Sequence, residues 1–406
     1  MKSIELAIRL GWHGNPTYSP CLTVSFSVLA TDSASSARRG CLVLPHGTVD
    51  TPIFMPVGTQ GSVKTLHPAE LVELGAQIIL GNTYHLWLRP GHTLIQELGG
   101  LHEFTTWRKP FLTDSGGFQV WSLAKLRKIS EDGVRFQNHL DGSKMLLTPE
   151  LSMEIQASLG ADIAMLFDEC PPYPCDEAYA AKSLALTTRW ARRCKDWITA
   201  HEPRSGDGRQ CHFGIVQGSV YADLREQSAR ELVALGFDGY AIGGVSVGEP
   251  ESEMFRAIDH AVPFLPHDKP RYAMGLGTPP QILEMIARGV DLFDCVMPTR
   301  VARHGVAFTL DGPLHIKNLI HAKDPRPLCS SAHPHVAGFS RAYLRHLFRA
   351  GEILALRLLS FHNLHFYLRL VAGARDAIVA GTFSEYKDSF IRRYTRSESL
   401  LPQCIP

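Results

Sequence analysis

From position 53 onward, short apolar runs alternate with longer segments whose apolar residues recur every three or four positions. The runs are FMPVG (54–58), IILGN (78–82), FLTDSGG (111–117), IAMLFD (163–168), FGIVQG (213–218), YAIGG (240–244), YAMGLG (272–277) and LFDCVMP (292–298). Each is short, apolar and closed by turn-forming residues, as buried strands are. The intervening segments read as amphipathic helices. One opens with Thr148 as N-cap and Pro149 in its first turn, and those at 223–236 and 279–289 end in glycine, the residue that suits a helix stop. Eight strands alternating with helices predict an α/β fold, a (β/α)8 TIM barrel in preference to an open sheet. No glycine-rich dinucleotide fingerprint follows the first strand, and GGVSVGE at 243–249 does not fit one.

Two segments break the alternation. The stretch 130–147 reads as an inserted β-hairpin with Asp141-Gly142 at its turn. From Ser340 the pattern is helical for longer than one barrel helix requires, which predicts a C-terminal helical subdomain. The division expected is a peripheral N-terminal extension (1–25), a barrel catalytic domain (26–320), a helical subdomain completing the barrel (321–390) and a tail (391–406).

Composition narrows the class. With 41 basic against 40 acidic side chains there is no global charge argument for a polyanionic partner, so any nucleic-acid site must be a local patch. Nine scattered cysteines, an odd number, fit reduced thiols better than a disulfide framework. No run is long and apolar enough for a membrane span, and the first 20 residues lack the apolar core of a signal peptide. A cytoplasmic protein without membrane attachment is expected.

Barrel enzymes place their chemistry at the C-terminal ends of the strands. Asp114, Asp168, Gln217, Gly244 and Asp294 all fall there. A single Asp at a strand end is as often a cap or turn former. Asp294, however, is followed directly by Arg300 and Arg303, an arrangement that suggests a nucleophile facing a polyanionic substrate.

Four segments carry a closer likeness: LTDSGGFQV, AMLFDEC, FGIVQGS and FDCVMPTR. Together they resemble the tRNA-guanine transglycosylases of bacterial type, the queuine tRNA-ribosyltransferase family, and the likeness runs from near Phe26 to near Phe390. It implies exchange of the wobble guanine of GUN-anticodon tRNAs for 7-aminomethyl-7-deazaguanine, in queuosine modification. Asp294 would be the nucleophile, forming a covalent ribosyl ester, and the incoming base would attack in a second displacement. Asp114 would be the general acid/base. Ser115, Gly116, Gly117, Phe118, Asp168, Cys170, Gln217, Gly244, Val245 and Met274 would hold the base, with Asp168 accepting two hydrogen bonds from the guanine NH groups and Phe118 and Met274 stacking on its faces. RNA contacts would come from Gly275, Leu276, Gly277, Thr278, Pro279, Pro280 and Gln281, and from Thr299, Arg300, Val301, Ala302 and Arg303. Val301 and His304 depart from the asparagines usual there, while the arginines stay in register. The partners implied are the tRNA anticodon stem-loop, the 7-deazaguanine base and a second copy of the chain, with Tyr343 in a dimer-contact region.

Cys170 and Val247 match the bacterial pocket, whereas Ser246 resembles the eukaryotic one that accepts the larger queuine, so queuine stays an alternative incoming base. The larger departure concerns metal. The family carries a structural zinc on Cys-x-Cys-x-x-Cys and a downstream histidine. His362 matches the histidine, but counting back reaches Ser331, His333 and Val336, and a shifted register reaches Ala332, Pro334 and Ala337. Loss of the zinc is the expectation; a rearranged site of Cys329, His333, His335 and His362 is the alternative. No cofactor is required for the chemistry. A non-catalytic tRNA-binding relative is disfavoured because both Asp114 and Asp294 are present. A sugar-directed barrel glycosidase is disfavoured by Asp168, Gln217 and the arginines.

Overall fold

The computed structural model describes residues 24–123, 127–201 and 209–396. Eight parallel strands form a closed barrel: β1 (Ile53–Gly58), β2 (Ile79–Gly81), β3 (Phe111–Thr113), β4 (Ile163–Met165), β5 (Cys211–Val216), β6 (Gly239–Ile242), β7 (Arg271–Ala273) and β8 (Leu292–Cys295). β8 pairs back onto β1, with Leu292 opposite Ile53 and Cys295 opposite Pro56. Side chains alternate across each strand. Ile53, Met55, Leu80, Leu112, Met165, Phe213 and Ile215 pack in the interior, while Phe54, Ile79, Phe111, Ala164 and Phe293 join the outer layer beneath the helices. Both faces are thus buried, which is why the strands read as near-continuous apolar runs.

The sequence pattern missed the floor of the barrel. Strands Ser25–Thr31, Arg38–Leu44 and Gly47–Thr51 form an antiparallel sheet that drives Leu42, Leu44 and Val49 into the interior cluster. Two buried anchors hold this end. Arg38 donates to both oxygens of Asp291, at 3.0 and 2.6 Å. Asp162 accepts from His46, His102 and the Phe111 N–H. Both carboxylates precede their strands, so they lie at the stabilising face of the barrel, opposite the chemistry.

At the other end the observed strands are shorter than the apolar runs. β3, β4 and β7 stop after three residues, and segments 114–117, 166–168 and 274–277 continue from them at the C-terminal end of the barrel. Gly116 (φ +80°) and Gly275 (φ +70°) make those exits possible. The 292–298 run divides into β8 and a short helix, Met297–Ala302, that carries Arg300. The inserted hairpin is present as Gly133–Gln137 and Lys144–Leu147, with a third strand, Arg127–Ser130, completing a small sheet.

The C-terminal helical region comprises Arg341–Ala350, Ile353–Ala380 and Phe383–Arg396. Left-handed glycines at 351 and 381 separate them. Ile353–Ala380 packs against β1 and closes the helical ring. Asn363 on it donates to the carbonyls of Pro298 and Val306, and Tyr367 donates to the Gly277 carbonyl. The extension and tail expected from the sequence lie largely outside the described residues. Among those described, no helix is long and apolar enough to cross a membrane.

Candidate active site

The carboxylate after β3, Asp114, is held from the loop after β2. Asn82 donates to one oxygen at 2.6 Å and the Thr83 N–H to the other at 2.9 Å. The Gly116 N–H reaches the same oxygen as Thr83, at 3.2 Å. Burial, opposed by these N–H bonds and reinforced by the charges of Asp294 and Asp168, pushes Asp114 up to about 7. A carboxyl poised there can give or take a proton near neutrality.

Asp168, after β4, is equally enclosed. Gln217 Nε2 donates to one oxygen at 2.7 Å and Ser115 Oγ to the other at 3.2 Å. Burial outweighs those bonds and raises Asp168 to about 6, so at neutral pH it is mostly an acceptor-only carboxylate. With Nε2 on Asp168, Gln217 turns its Oε1 into a buried position with no hydrogen-bond partner. The oxygen lies so close to Gly244 that a Cβ there would collide with it. Gly117 is similarly required, since a Cβ would come within 2.8 Å of the Asp168 carbonyl. Cys170 and Val245 are buried nearby in sequence, Met274 is half-buried, and Phe118 leaves 42 % of its surface exposed, as a stacking face would.

Asp294 is the penultimate residue of β8 and has both donors on one oxygen: Tyr272 OH at 2.6 Å and the Gly275 N–H at 2.7 Å. Burial raises its pKa, against the pull of those two donors. Among the described residues it makes no ion pair with Arg300, and the donors to its carboxylate come from the barrel itself. Asp294, near the C-terminal end of β8, and Asp114, just after β3, lie at the same end of the barrel.

The expected RNA-facing loops divide by exposure. Arg300 is exposed and Arg303 half-buried, and Arg303 Nη1 has no hydrogen-bond partner. In the other loop only Gly275 is exposed; Thr278, Pro280 and Gln281 are half-buried and Leu276, Gly277 and Pro279 are buried. Thr278 and Gln281 form a reciprocal cap on helix Pro279–Ala287. Leu276, Gly277 and Pro279 thus shape the loop by packing, and Thr278 and Gln281 by capping.

The four metal-ligand candidates do not converge. His362 Nε2 bonds the Phe308 carbonyl at 2.8 Å. Cys329 lies 3.4 Å from Ser331 Oγ. His333 caps the short helix Pro334–Ala337 through Nδ1, and that helix turns both His333 and His335 toward Glu73, at 3.6 and 3.4 Å. Among the described residues the groups able to gather round an ion are His46–His102–Asp162 and Glu73–His333–His335, and neither contains Cys329 or His362. Cys329, Ser331, His362 and His365 instead line a cavity of about 260 Å³. The donor set therefore does not fit the family's zinc.

Sequence reading missed Asn82, Thr83 and Tyr272, which position the two carboxylates. Asn82 did carry a signal, as the polar residue closing the 78–82 run.

Comparison with known proteins agrees with the architecture. A family model described as queuine tRNA-ribosyltransferase matches residues 32–396. A protein of that name from Pelotomaculum thermopropionicum is 53% identical over 374 residues, covering 92% of this chain and 99% of the relative. One from Nitratidesulfovibrio vulgaris is 56% identical over 367 residues, covering 90% and 96%. One from Halothermothrix orenii is 52% identical over 380 residues, covering 93% and 100%. Agreement at that level along nearly the whole barrel leaves one assignment: the chain belongs to the queuine tRNA-ribosyltransferase family of enzymes.

Proposed function

We propose that the protein exchanges the wobble guanine of GUN-anticodon tRNAs for 7-aminomethyl-7-deazaguanine by double displacement through a covalent enzyme–tRNA ester. The observation that carries this reading is the placement of Asp114 and Asp294 at one end of the barrel, with burial and the charge of Asp294 raising Asp114 to about 7. Two carboxylates in unequal environments divide acid/base and nucleophilic roles. Asp294 has its donors on Oδ1, so Oδ2 keeps lone pairs for the anomeric carbon. Asp114, protonated, assists guanine's departure; as carboxylate, it takes the proton of the incoming base. Asp168 reads the NH edge of the base, and Gln217 and the Gly244 N–H read its carbonyl edge. Arg300 and Arg303 meet the anticodon loop.

One peptide supports the choice of incoming base. Glu249 accepts from the N–H groups of Ser246 and Val247. A trans peptide points its carbonyl opposite its N–H, so the Val245 carbonyl is turned away from Glu249, an acceptor suited to an aminomethyl group. Exchange assays on one GUN tRNA with labelled guanine, 7-aminomethyl-7-deazaguanine and queuine test this. Efficient incorporation of the aminomethyl base supports the reading; preference for queuine replaces it with salvage, and no exchange removes it. Single-turnover adduct formation is expected to slow as pH rises through about 7, because the acid form of Asp114 is then lost. A flat profile between pH 6 and 8 would deny Asp114 that role.

The metal region is proposed to stand without the family's zinc, on the misfit of its donors described above. Serine, valine, alanine and proline side chains are poor zinc ligands. Purified protein is expected to hold well under one zinc per chain, and chelator to leave the melting temperature unchanged. Stoichiometric zinc released by both Cys329→Ala and His362→Ala would establish a rearranged site instead. A homodimer is proposed on the face of helix Arg341–Ala350, where Tyr343 is 41 % exposed and stacks with Phe339 at 5.7 Å. Sedimentation showing only monomer at micromolar concentration would contradict it.

A further inference from the structure

Helix Ala222–Leu235, between β5 and β6, carries a fully buried arginine, Arg225, whose hydrogen bonds go to no carboxylate. The Arg225 guanidinium is instead surrounded by backbone carbonyls. Nε donates to Ser219 O at 2.7 Å, Nη1 to Val216 O at 3.0 Å and to Gly243 O at 2.7 Å, and Nη2 to Gly244 O at 3.1 Å. Two of these belong to the segment that leaves β5 around Gln217 and two to the segment that leaves β6 at Gly243-Gly244. A permanent charge in such a place is costly unless its bonds do something that an apolar side chain cannot.

Its consequence follows from peptide planarity. The carbonyl of Gly243 and the N–H of Gly244 belong to one trans peptide and point in opposite directions. With the carbonyl fixed on Arg225, the Gly244 N–H points away from the helix, and it faces the Cys170 thiol. The Gly244 carbonyl fixes the Val245 N–H in the same way. A cation on each carbonyl also polarises the peptide, making its N–H a stronger donor. The helix contributes a second fixing point: one turn on, Ser228 Oγ accepts from the Gln217 N–H at 3.0 Å. Glycine is required for this clamp, because a Cβ on Gly218 would press on the Arg225 backbone at 2.8 Å.

We propose that Arg225 is a positioning residue that aims and polarises the Gly244 N–H, and thereby sets how strongly the enzyme recognises the carbonyl of a guanine-like base. This rests on the base-pocket reading above, and deepens it by assigning the source of carbonyl selectivity to a residue that does not touch the base. Lysine cannot replace it, since an ammonium offers three donors from one point and cannot span four carbonyls in two segments.

The test compares guanine with 6-thioguanine, which keeps the NH edge but offers a weaker acceptor at the carbonyl position. Arg225→Lys is expected to raise KM for guanine tenfold or more, with kcat and tRNA affinity within about twofold of wild type. The wild-type preference for guanine over 6-thioguanine should shrink at least fivefold. A merely structural role would weaken both bases and tRNA together, leaving that ratio intact, and would overturn the proposal. Ser228→Ala, a milder change on the same helix face, should raise the guanine KM by a smaller factor without loss of fold; an unchanged KM in both variants also overturns it. Failure of the wild-type enzyme to exchange guanine at all would instead remove the base-pocket reading itself.

Discussion

Asp294→Ala is expected to abolish base exchange, by about 10⁴-fold or more, and to eliminate the covalent tRNA adduct on denaturing gels. The size follows from the role: a covalent route has no substitute for its nucleophile, and the neighbouring carboxylate, Asp114, is already engaged by Asn82 and Thr83. tRNA binding should persist, because Arg300 and Arg303 lie on and just after helix Met297–Ala302 and make no bond to Asp294. The fold should not suffer. Burial raises the pKa of Asp294 in the native state, so its charge opposes folding near neutrality, while its removal leaves the Tyr272 hydroxyl and the Gly275 N–H without their acceptor; the two effects oppose, and the melting temperature should change little. Asp294→Asn provides the sharper control, since its amide oxygen still accepts from Tyr272 and Gly275 but cannot form the ester. If either variant keeps near-wild-type exchange, another residue is the nucleophile.

The parts of this site that were legible in sequence share one property. Asp114, Asp168, Gln217 and Asp294 are polar residues closing apolar runs, and a barrel puts all such positions at one mouth. Their supports were not legible because each is paired through space. Asn82 meets Asp114 across 32 residues and Tyr272 meets Asp294 across 22. Arg225 was read only as part of an amphipathic helix, and nothing local marks a buried cation whose partners are carbonyls of two other loops. The floor sheet escaped for another reason. Ser25–Thr31 alternates exposed with half-buried positions, so its apolar content is too dilute to stand out. The metal region shows the opposite case. Alignment with the family's metal motif implied that thiolates were missing, but only the capping role of His333 and the contacts to Glu73 explain why the histidines do not converge on His362.

Asp168→Asn should cost about 2–4 kcal/mol of transition-state binding, which is roughly thirtyfold to a thousandfold in kcat/KM. Two losses combine. The substituted amide removes a charge-assisted bond to the guanine NH edge, and its NH₂ sets a donor against a donor. The local network makes the second loss hard to escape. In the native site Gln217 Nε2 and Ser115 Oγ each donate to a different oxygen of Asp168, so an amide in either orientation meets a donor already in place. Gln217 has limited freedom to turn its Oε1 around and rescue the contact, because that oxygen is packed against the Gly244 backbone. The loss should fall on base recognition, with guanine KM rising while tRNA affinity stays near wild type. The mutant should also lose pH sensitivity near 6, where the carboxylate of Asp168 titrates; in the native enzyme base affinity falls as pH drops through that value. A loss below threefold, or an unchanged low-pH limb, would take the reading of the guanine edge away from Asp168.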